Sequence, residues 1–462
     1  MKFVDRKAEL ATLERAYQEP GFQFIPVYGR RRVGKTRHVQ EFIRGKEVIY
    51  FLADRIAEGE QLRGLGQMVG DYFQDPILKD VGFRDWQQFF RYQKDKSAGR
   101  VVLVLDEFPY LVRSNKAVSS IFQKGIDEHL RQTAVFLVLM GSSIGMMEKE
   151  VLFYKAPLYG RRTGSLEVRG MPFQSLYEWF PGRPFDDLMA VYTVFGMIPA
   201  YLEKVKIDWD IFENIRRLIL EKGTFFSNEV EYVLMEELRE PRNYFALLKA
   251  ISQGKQKISE VINETGFEKS HVSRYADILK GLGFLRKEVP VTEKSPEKSK
   301  QGRYSIEDRF FAFWFKYVLP HKSRLEIGKT DYVAGLIRQG LEQDISLAYE
   351  AVCRDICLGL MAEDRMQFTT IGRWWSRNHE IDLVALDEET RTAYFGECKW
   401  SRKRVGVNVY DDLVRKSRQV DWHGKGRIDK FMLFSRSGFT DAMLDRAKKE
   451  DVLLIHRDKV LT

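Results

Sequence analysis

The chain has 462 residues, 44% hydrophobic and 31% charged, with 75 Lys and Arg against 66 Asp and Glu for a formal charge of +9. That length exceeds one compact core and points to about two to four domains, and the balance of apolar and charged residues is that of a soluble globular protein. No run reaches the roughly 18 apolar residues of a membrane span and no apolar leader opens the chain, so a cytoplasmic protein without a membrane partner is expected, and its net charge permits a nucleic-acid partner without establishing one.

The first informative element is a short apolar strand, Ile25–Tyr28, running into Gly29-Arg30-Arg31-Arg32-Val33-Gly34-Lys35-Thr36. The spacing matches G-x-x-x-x-G-K-[ST], and Arg37–Ile43 then shows helical spacing with Val39, Phe42 and Ile43 on one face. In a strand–loop–helix context the glycines let the backbone bring its N–H groups to phosphate, and the helix N-terminus favours an anion. Lys35 is expected to reach the β- and γ-phosphates of ATP, and the Thr36 hydroxyl to bind Mg²⁺.

Val101–Leu105 is a continuous apolar run, as a parallel strand covered on both faces requires, and it ends in Asp106-Glu107. Asp106 is placed to hold Mg²⁺ through water, and Glu107 to polarise the attacking water. A third strand, Val135–Met140, leads to Gly141-Ser142-Ser143. There Ser142 either senses the γ-phosphate or belongs to a plain turn. In Tyr159-Gly160-Arg161-Arg162, one arginine is expected to stabilise transferring phosphate, from this chain or from a neighbouring copy in a homo-oligomer; Arg161 is the first choice.

These segments, with Phe3–Leu10, Asp106–Leu111, Met171-Pro172-Phe173 and Gly196-Met197-Ile198-Pro199-Ala200-Tyr201-Leu202, resemble the archaeal-type ATPases, a STAND branch of the AAA+-related P-loop class. The resemblance covers roughly the first half of the chain. It implies a small helical lid in which Gly196 and Pro199 contact nucleotide. Met197 departs from the pattern, which often has a second glycine there.

From Tyr244 the pattern changes. Helices are expected over 244–251, 258–262 and 269–280, followed by a hairpin from Gly281 with its tip at 293–302. Val272, Tyr275, Leu279 and Leu282 share one face of the third helix, and Lys269, Ser270, His271, Ser273 and Arg274 the other. This is the plan of a winged helix-turn-helix. Residues 244–308 hold twelve basic and nine acidic side chains, a net of +3. Two uses stay open, DNA binding and protein contact. The aromatic stretch 305–318 reads as a packed connector.

In the last segment, a helix from about Gly340 carries Glu350, and strands are expected over 371–375, 383–386 and 393–400. Strand alternation puts Glu397 and Lys399 on one face. Asp382 followed by Glu397-Cys398-Lys399 resembles the PD-(D/E)xK restriction-endonuclease-like fold, also the C-terminal partner implied by the archaeal family. In that reading Asp382 and Glu397 hold a metal, Glu350 supports it, and Lys399 steers the attacking water. Residues 391–418 carry eight basic and three acidic side chains, a net of +5 suited to DNA. A binding-only domain and a salt-bridged sheet edge are the alternatives. Cys353, Cys357 and Cys398 complete no zinc set and are expected as buried free thiols.

The expected architecture is therefore α/β throughout: a P-loop NTPase parallel sheet (1–170), a helical lid (171–238), a winged helix-turn-helix (239–308), an aromatic connector (309–335) and a restriction-endonuclease-like α/β domain (336–462).

Overall fold

The computed structural model describes residues 3–97, 99–238, 240–376 and 379–461. The chain divides into two compact units. The first comprises Met1–Met171, Ile198–Glu203 and Val233–Arg239; the second comprises Pro172–Met197, Lys204–Tyr232 and Glu240–Thr462. The stretch expected as one lid is thus shared out. Its Gly-x-x-Pro turn splits, with Pro199 in the first unit and Gly196 in the second.

The first unit is built on five parallel strands: β1 (Gln23–Tyr28), β2 (Val48–Leu52), β3 (Val102–Asp106), β4 (Phe136–Gly141) and β5 (Leu166–Glu167), in the order β2-β3-β4-β1-β5. Every residue of β3 and β4 is buried, the burial expected of parallel strands covered by helices on both faces. The core on one side gathers Phe89, Phe90, Phe108 and Phe122 against Leu103, Leu105 and Leu137. The chain leaves β1, crosses to the far edge at β2, and returns strand by strand. Such a reversal opens a crevice at the carboxyl end of the strand where it occurs, and Gly29 follows β1 there.

In the second unit, helices Pro241–Ser252, Ile258–Thr265 and Lys269–Gly281 precede an antiparallel pair, β6 (Leu285–Glu288) and β7 (Arg303–Ile306). Helix Lys269–Gly281 buries Val272, Tyr275, Ala276 and Leu279 and exposes Lys269, Ser270, His271 and Arg274. The aromatics of the connector, Phe310, Phe311, Phe313, Trp314, Phe315 and Tyr317, are all buried, so they pack rather than offer stacking faces.

A six-stranded mixed sheet follows: β8 (Thr370–Ser376), β9 (His379–Asp387), β10 (Thr392–Lys399), β11 (Ile428–Ser435), β12 (Leu453–His456) and β13 (Lys459–Val460), in the order β13-β12-β11-β10-β9-β8. The parallel pairs β10–β11 and β11–β12 are joined through helices Val407–Ser417 and Asp441–Glu450. Helix Thr330–Ala362 is 33 residues long and starts ten residues before the expected Gly340. Gly335 and Gly340 blur its pattern; a Cβ at Gly340 would stand 2.3 Å from the Tyr317 hydroxyl, so close packing calls for glycine there. Cys353, Cys357 and Cys398 are buried free thiols. Among the described residues no helix is long and apolar enough to cross a membrane.

Candidate functional site

The loop after β1 is shaped by its two glycines. Gly29 has φ 146°, and a Cβ there would lie 2.1 Å from the Val168 carbonyl oxygen. Gly34, at φ 95°, caps the helix Lys35–Phe42, and Pro199 Cγ lies 3.8 Å from where its Cβ would be. Only glycine fits these two conformations without strain. Val33 is buried and its carbonyl accepts from Arg6 at 3.1 Å. Arg32 has φ 68° and is exposed, while Arg30 and Arg37 are half-buried. Arg31 turns sideways, pairing with Glu236 at 2.8 Å and donating to the Tyr110 hydroxyl at 3.0 Å.

Lys35 folds back over this loop. Its Nζ donates to the carbonyls of Gly29 at 2.8 Å and Arg30 at 2.9 Å, and the residue is only 7% exposed. Burial lowers its ammonium to about 8, against the pull of Glu107 and Asp106. Thr36 is exposed at the mouth, and its hydroxyl donates to Asp106 Oδ2 at 3.4 Å.

Asp106 ends β3 and is buried. Its Oδ1 accepts from the Glu107 N–H at 2.8 Å, and its Oδ2 also accepts from the Tyr50 hydroxyl. Burial, then that hydrogen bond, push the Tyr50 phenol far above its usual range. Glu107 sits in the left-handed region at φ 54°, just before helix Phe108–Ser114. Its Oε2 accepts from Ser142 Oγ at 2.9 Å. Because β4 lies between β1 and β3, Ser142 at its tip follows the strand that separates the acids from the loop. The fold thus brings Lys35, Thr36, Asp106, Glu107 and Ser142 into one constellation.

Three participants were not read from the sequence. Tyr50 reaches Asp106 only because β2 pairs with β3, and no local motif announces it. Glu236 and Glu237 come from the returning segment 233–239. Glu237 accepts from Ser143 Oγ at 3.2 Å, and burial raises its carboxyl to about 7.

Arg161 stands elsewhere. Its Nε and Nη2 grip Asp127 at 3.1 and 2.8 Å, at the end of helix Val118–Glu128. Two residues on, the Thr163 N–H donates to the Phe24 carbonyl at 3.0 Å, near the start of β1. Phe24 and Gly29 are five residues apart on an extended strand, about 16 Å. Arg161 therefore belongs to the opposite edge of the sheet from the loop, and the fold does not bring it to the Lys35 constellation.

The C-terminal acids form a second group. Asp382, on β9, accepts from the Cys398 N–H at 2.9 Å. Glu397, on β10, accepts from Lys399 Nζ at 2.6 Å and pairs with Lys416 at 3.3 Å. Glu350 pairs with Arg373 at 3.5 Å, and Arg373 also pairs with Glu380. Burial raises the Glu350 carboxyl to about 7, with Arg373 opposing and Asp382 assisting. Burial, then the Glu397 charge, raises Asp382. Asp382 thus lies within electrostatic reach of both Glu350 and Glu397, yet among the described residues no group of three or more His, Cys, Asp or Glu is arranged to hold a metal ion.

Residues 3–205 match the family model of an ATPase domain predominantly from Archaea, and residues 314–409 match one described as archaea bacterial proteins of unknown function. An uncharacterized protein of Methanocaldococcus jannaschii is 37% identical over 424 residues, 90% of this chain and 92% of that one. An uncharacterized ATP-binding protein of the same organism is 48% identical over 46 residues, 10% of this chain and 78% of that one. Among solved structures, the Walker-type ATPase of Pyrococcus abyssi aligns over 68% of this chain and 96% of that one, at 19% identity and a TM-score of 0.49.

Proposed function

The chain belongs to the family of ATPase domains found predominantly in Archaea, and from that premise we propose that it is a magnesium-dependent ATPase whose nucleotide state is coupled to nucleic acid. The observation that carries the reading is the meeting of Lys35, Thr36, Asp106, Glu107 and Ser142 at the carboxyl edge of one parallel sheet. The Thr36 hydroxyl and Asp106 carboxylate are hard oxygen donors, 3.4 Å apart, whose other contacts are neutral, and this set suits Mg²⁺. When bound, that ion neutralises charge on the β- and γ-phosphates.

Lys35 exchanges the carbonyls of Gly29 and Arg30 for phosphate oxygens. Glu107 accepts a hydrogen bond from the attacking water, and Ser142 holds the Glu107 carboxylate in place. Pro199, packed over Gly34, ties the stretch Ile198–Glu203 to the phosphate loop. Arg161 acts in phosphoryl transfer only on a neighbouring copy.

In the second unit, helices 241–281 with β6 and β7 serve as a winged helix-turn-helix, with the exposed face of Lys269, Ser270, His271 and Arg274 directed to DNA. The C-terminal sheet serves as a restriction-endonuclease-like domain acting on the same DNA. A second reading, a nucleotide-driven switch whose C-terminal domains bind without cutting, is favoured by the internal cations on Glu350 and Glu397.

Phosphate release from Mg²⁺–ATP, with and without single- and double-stranded DNA, tests the first claim. Turnover that survives Lys35→Ala overturns it. Plasmid nicking in Mg²⁺ or Mn²⁺ that Lys399→Ala removes selects cleavage; intact plasmid with salt-sensitive DNA binding selects the switch.

A further inference from the structure

The stretch 149–162 leads from the short turns after β4 back to β1, and its own backbone orders it. The Phe153 N–H donates to the Glu148 carbonyl at 2.7 Å, the Ala156 N–H to the Phe153 carbonyl at 2.8 Å, and the Tyr159 N–H to the Ala156 carbonyl at 3.1 Å, so one turn runs into the next. Val151, Ala156 and Leu158 are buried, and Val151 and Leu158 join the core that holds Phe108 and Leu137. With those anchors inside, three rings stand outside: Phe153 is 56% exposed, Tyr154 83% and Tyr159 38%. Among the described residues Tyr154 is the most exposed large apolar side chain. Three exposed rings on one fixed loop form a patch, not a scatter of single apolar residues.

Cations accompany the rings. Tyr154 and Tyr159 meet edge to face with centroids 5.5 Å apart, and the Arg162 guanidinium lies over the Tyr159 ring at 4.8 Å. Arg162 donates to the carbonyls of Tyr159 at 3.3 Å and Leu152 at 3.4 Å, neutral acceptors that leave its charge in place. The exposed residues of 149–162 are Lys149, Phe153, Tyr154, Lys155, Tyr159 and Gly160, with no aliphatic side chain and no acid among them. The stretch holds four basic side chains and one acidic, Glu150, a net of +3. Lys149 stands 3.7 Å from Glu150, and Arg161 is held by Asp127. A protein interface has an apolar core depleted of charge. Rings interleaved with cations match bases and phosphates instead. Duplex stacking hides base faces, so the ligand that fits is a strand with unpaired bases.

We propose that 149–162 is a docking platform for a single strand of nucleic acid, its bases stacking on Phe153, Tyr154 and Tyr159 and its phosphates meeting Lys149, Lys155 and Arg162. The proposal rests on the nucleic-acid reading above and adds to it the class of strand and a place for that strand on the first unit.

The test uses the full chain. Fluorescent dodecathymidylate, dodecauridylate and a blunt DNA hairpin are followed by anisotropy. Both single strands should bind, and the tighter of the two identifies the strand as DNA or RNA. Tyr154→Ala should weaken them by about fivefold to a hundredfold, the loss expected when one base loses its stacking ring, while Tyr154→Phe keeps the wild-type affinity. Binding of the hairpin should change little. Photocrosslinking of a 5-iodouracil strand to the wild-type chain, mapped by mass spectrometry, should label 149–162. The proposal is overturned if single strands bind wild type and Tyr154→Ala alike, or if the crosslink maps elsewhere. It is also overturned if Tyr154→Ala lowers the mass in sedimentation and leaves strand binding intact, since the face then serves a second copy of the chain. A wild-type chain that binds the hairpin but no single strand sinks this proposal and spares the nucleic-acid reading; a chain that binds none of the three probes sinks both.

Discussion

Lys35 is costly to the empty protein. Its ammonium is 7% exposed and donates to two backbone carbonyls, and burial lowers it from 10.5 to about 8. A difference of that size between folded and unfolded chains corresponds to about 3 kcal/mol of lost stability at neutral pH. Lys35→Met keeps the volume and removes the charge. It also leaves the Gly29 and Arg30 carbonyls to water instead of their donor, a loss of about 1 kcal/mol each. The nucleotide-free variant should therefore be more stable by about 1–2 kcal/mol, a rise of roughly 2–8 °C in the melting of the first unit.

The sign with pH follows from the lowered value. Between pH 8 and 10.5 the unfolded chain binds more protons than the folded one, so wild-type stability rises with pH and the advantage of the variant disappears. With Mg²⁺–ATP at a hundred times its dissociation constant, the wild type should gain about 2.7 kcal/mol and the variant nothing, so the order of stabilities reverses. Thermal melts at pH 7.5 and 10.5, with and without Mg²⁺–ATP, measure all of this. A Lys35→Met chain that is less stable than wild type without nucleotide, or that still gains from ATP, would refute the argument.

Gly29→Ala should cost about 3 kcal/mol or more and abolish nucleotide binding, since its Cβ would overlap the Val168 carbonyl and φ 146° suits only glycine; denaturant melts and nucleotide titration check both. Glu107→Gln should keep ATP binding and lose turnover, whereas Ser142→Ala should slow turnover about tenfold with little change in KM, since it frees the carboxylate without removing it. Glu237, raised to about 7 from 4.5, is held protonated by the folded chain. The stability it contributes is full below pH 4.5 and falls as pH rises through 7, so Glu237→Gln should match wild type at pH 4 and exceed it by about 3 kcal/mol at pH 8 in urea melts.

The loop and its acids were legible because each is announced locally. An apolar run ending in Asp106-Glu107 reads as a covered strand with acids at its end, and Gly29–Thr36 carries its spacing in eight consecutive residues. Ser142 gained its meaning from strand order, since β4 might have fallen elsewhere in the sheet. Tyr50, Glu236 and Glu237 were invisible because their contacts depend on tertiary pairing across long sequence separations. Arg161 shows the converse. It satisfies every local criterion for a phosphate-facing arginine, yet the return of the chain to the start of β1 puts it beside Asp127. Alternation correctly placed Glu397 and Lys399 on one face, and at 2.6 Å they neutralise each other.

That last contact separates the two acidic sites by the kind of partner each acid has. Asp106 and Glu107 rest on hydroxyls and a backbone N–H, from Tyr50, Thr36, Ser142 and Glu107 itself. Their hydrogen-bond donors are neutral, each such bond worth only about 1 kcal/mol, and the one cation acting on them, Lys35, is held by backbone carbonyls rather than by the acids. Glu350 and Glu397 rest on Arg373, Lys399 and Lys416. A divalent ion there meets cations already in place, and those bonds are worth about 1.5–3 kcal/mol each. If the first site holds Mg²⁺ with its nucleotide as proposed, it can take both in one step. The second needs an anion to draw its lysines and arginine away before its carboxylates can turn to a metal. If it cuts DNA, the strand must arrive before the ion, and metal affinity measured without DNA should be weak. Calorimetric titration of Mn²⁺ into the chain carrying Asp106→Asn, with and without a DNA duplex, decides the order: tight binding to the second site without DNA would show that the cations are no barrier.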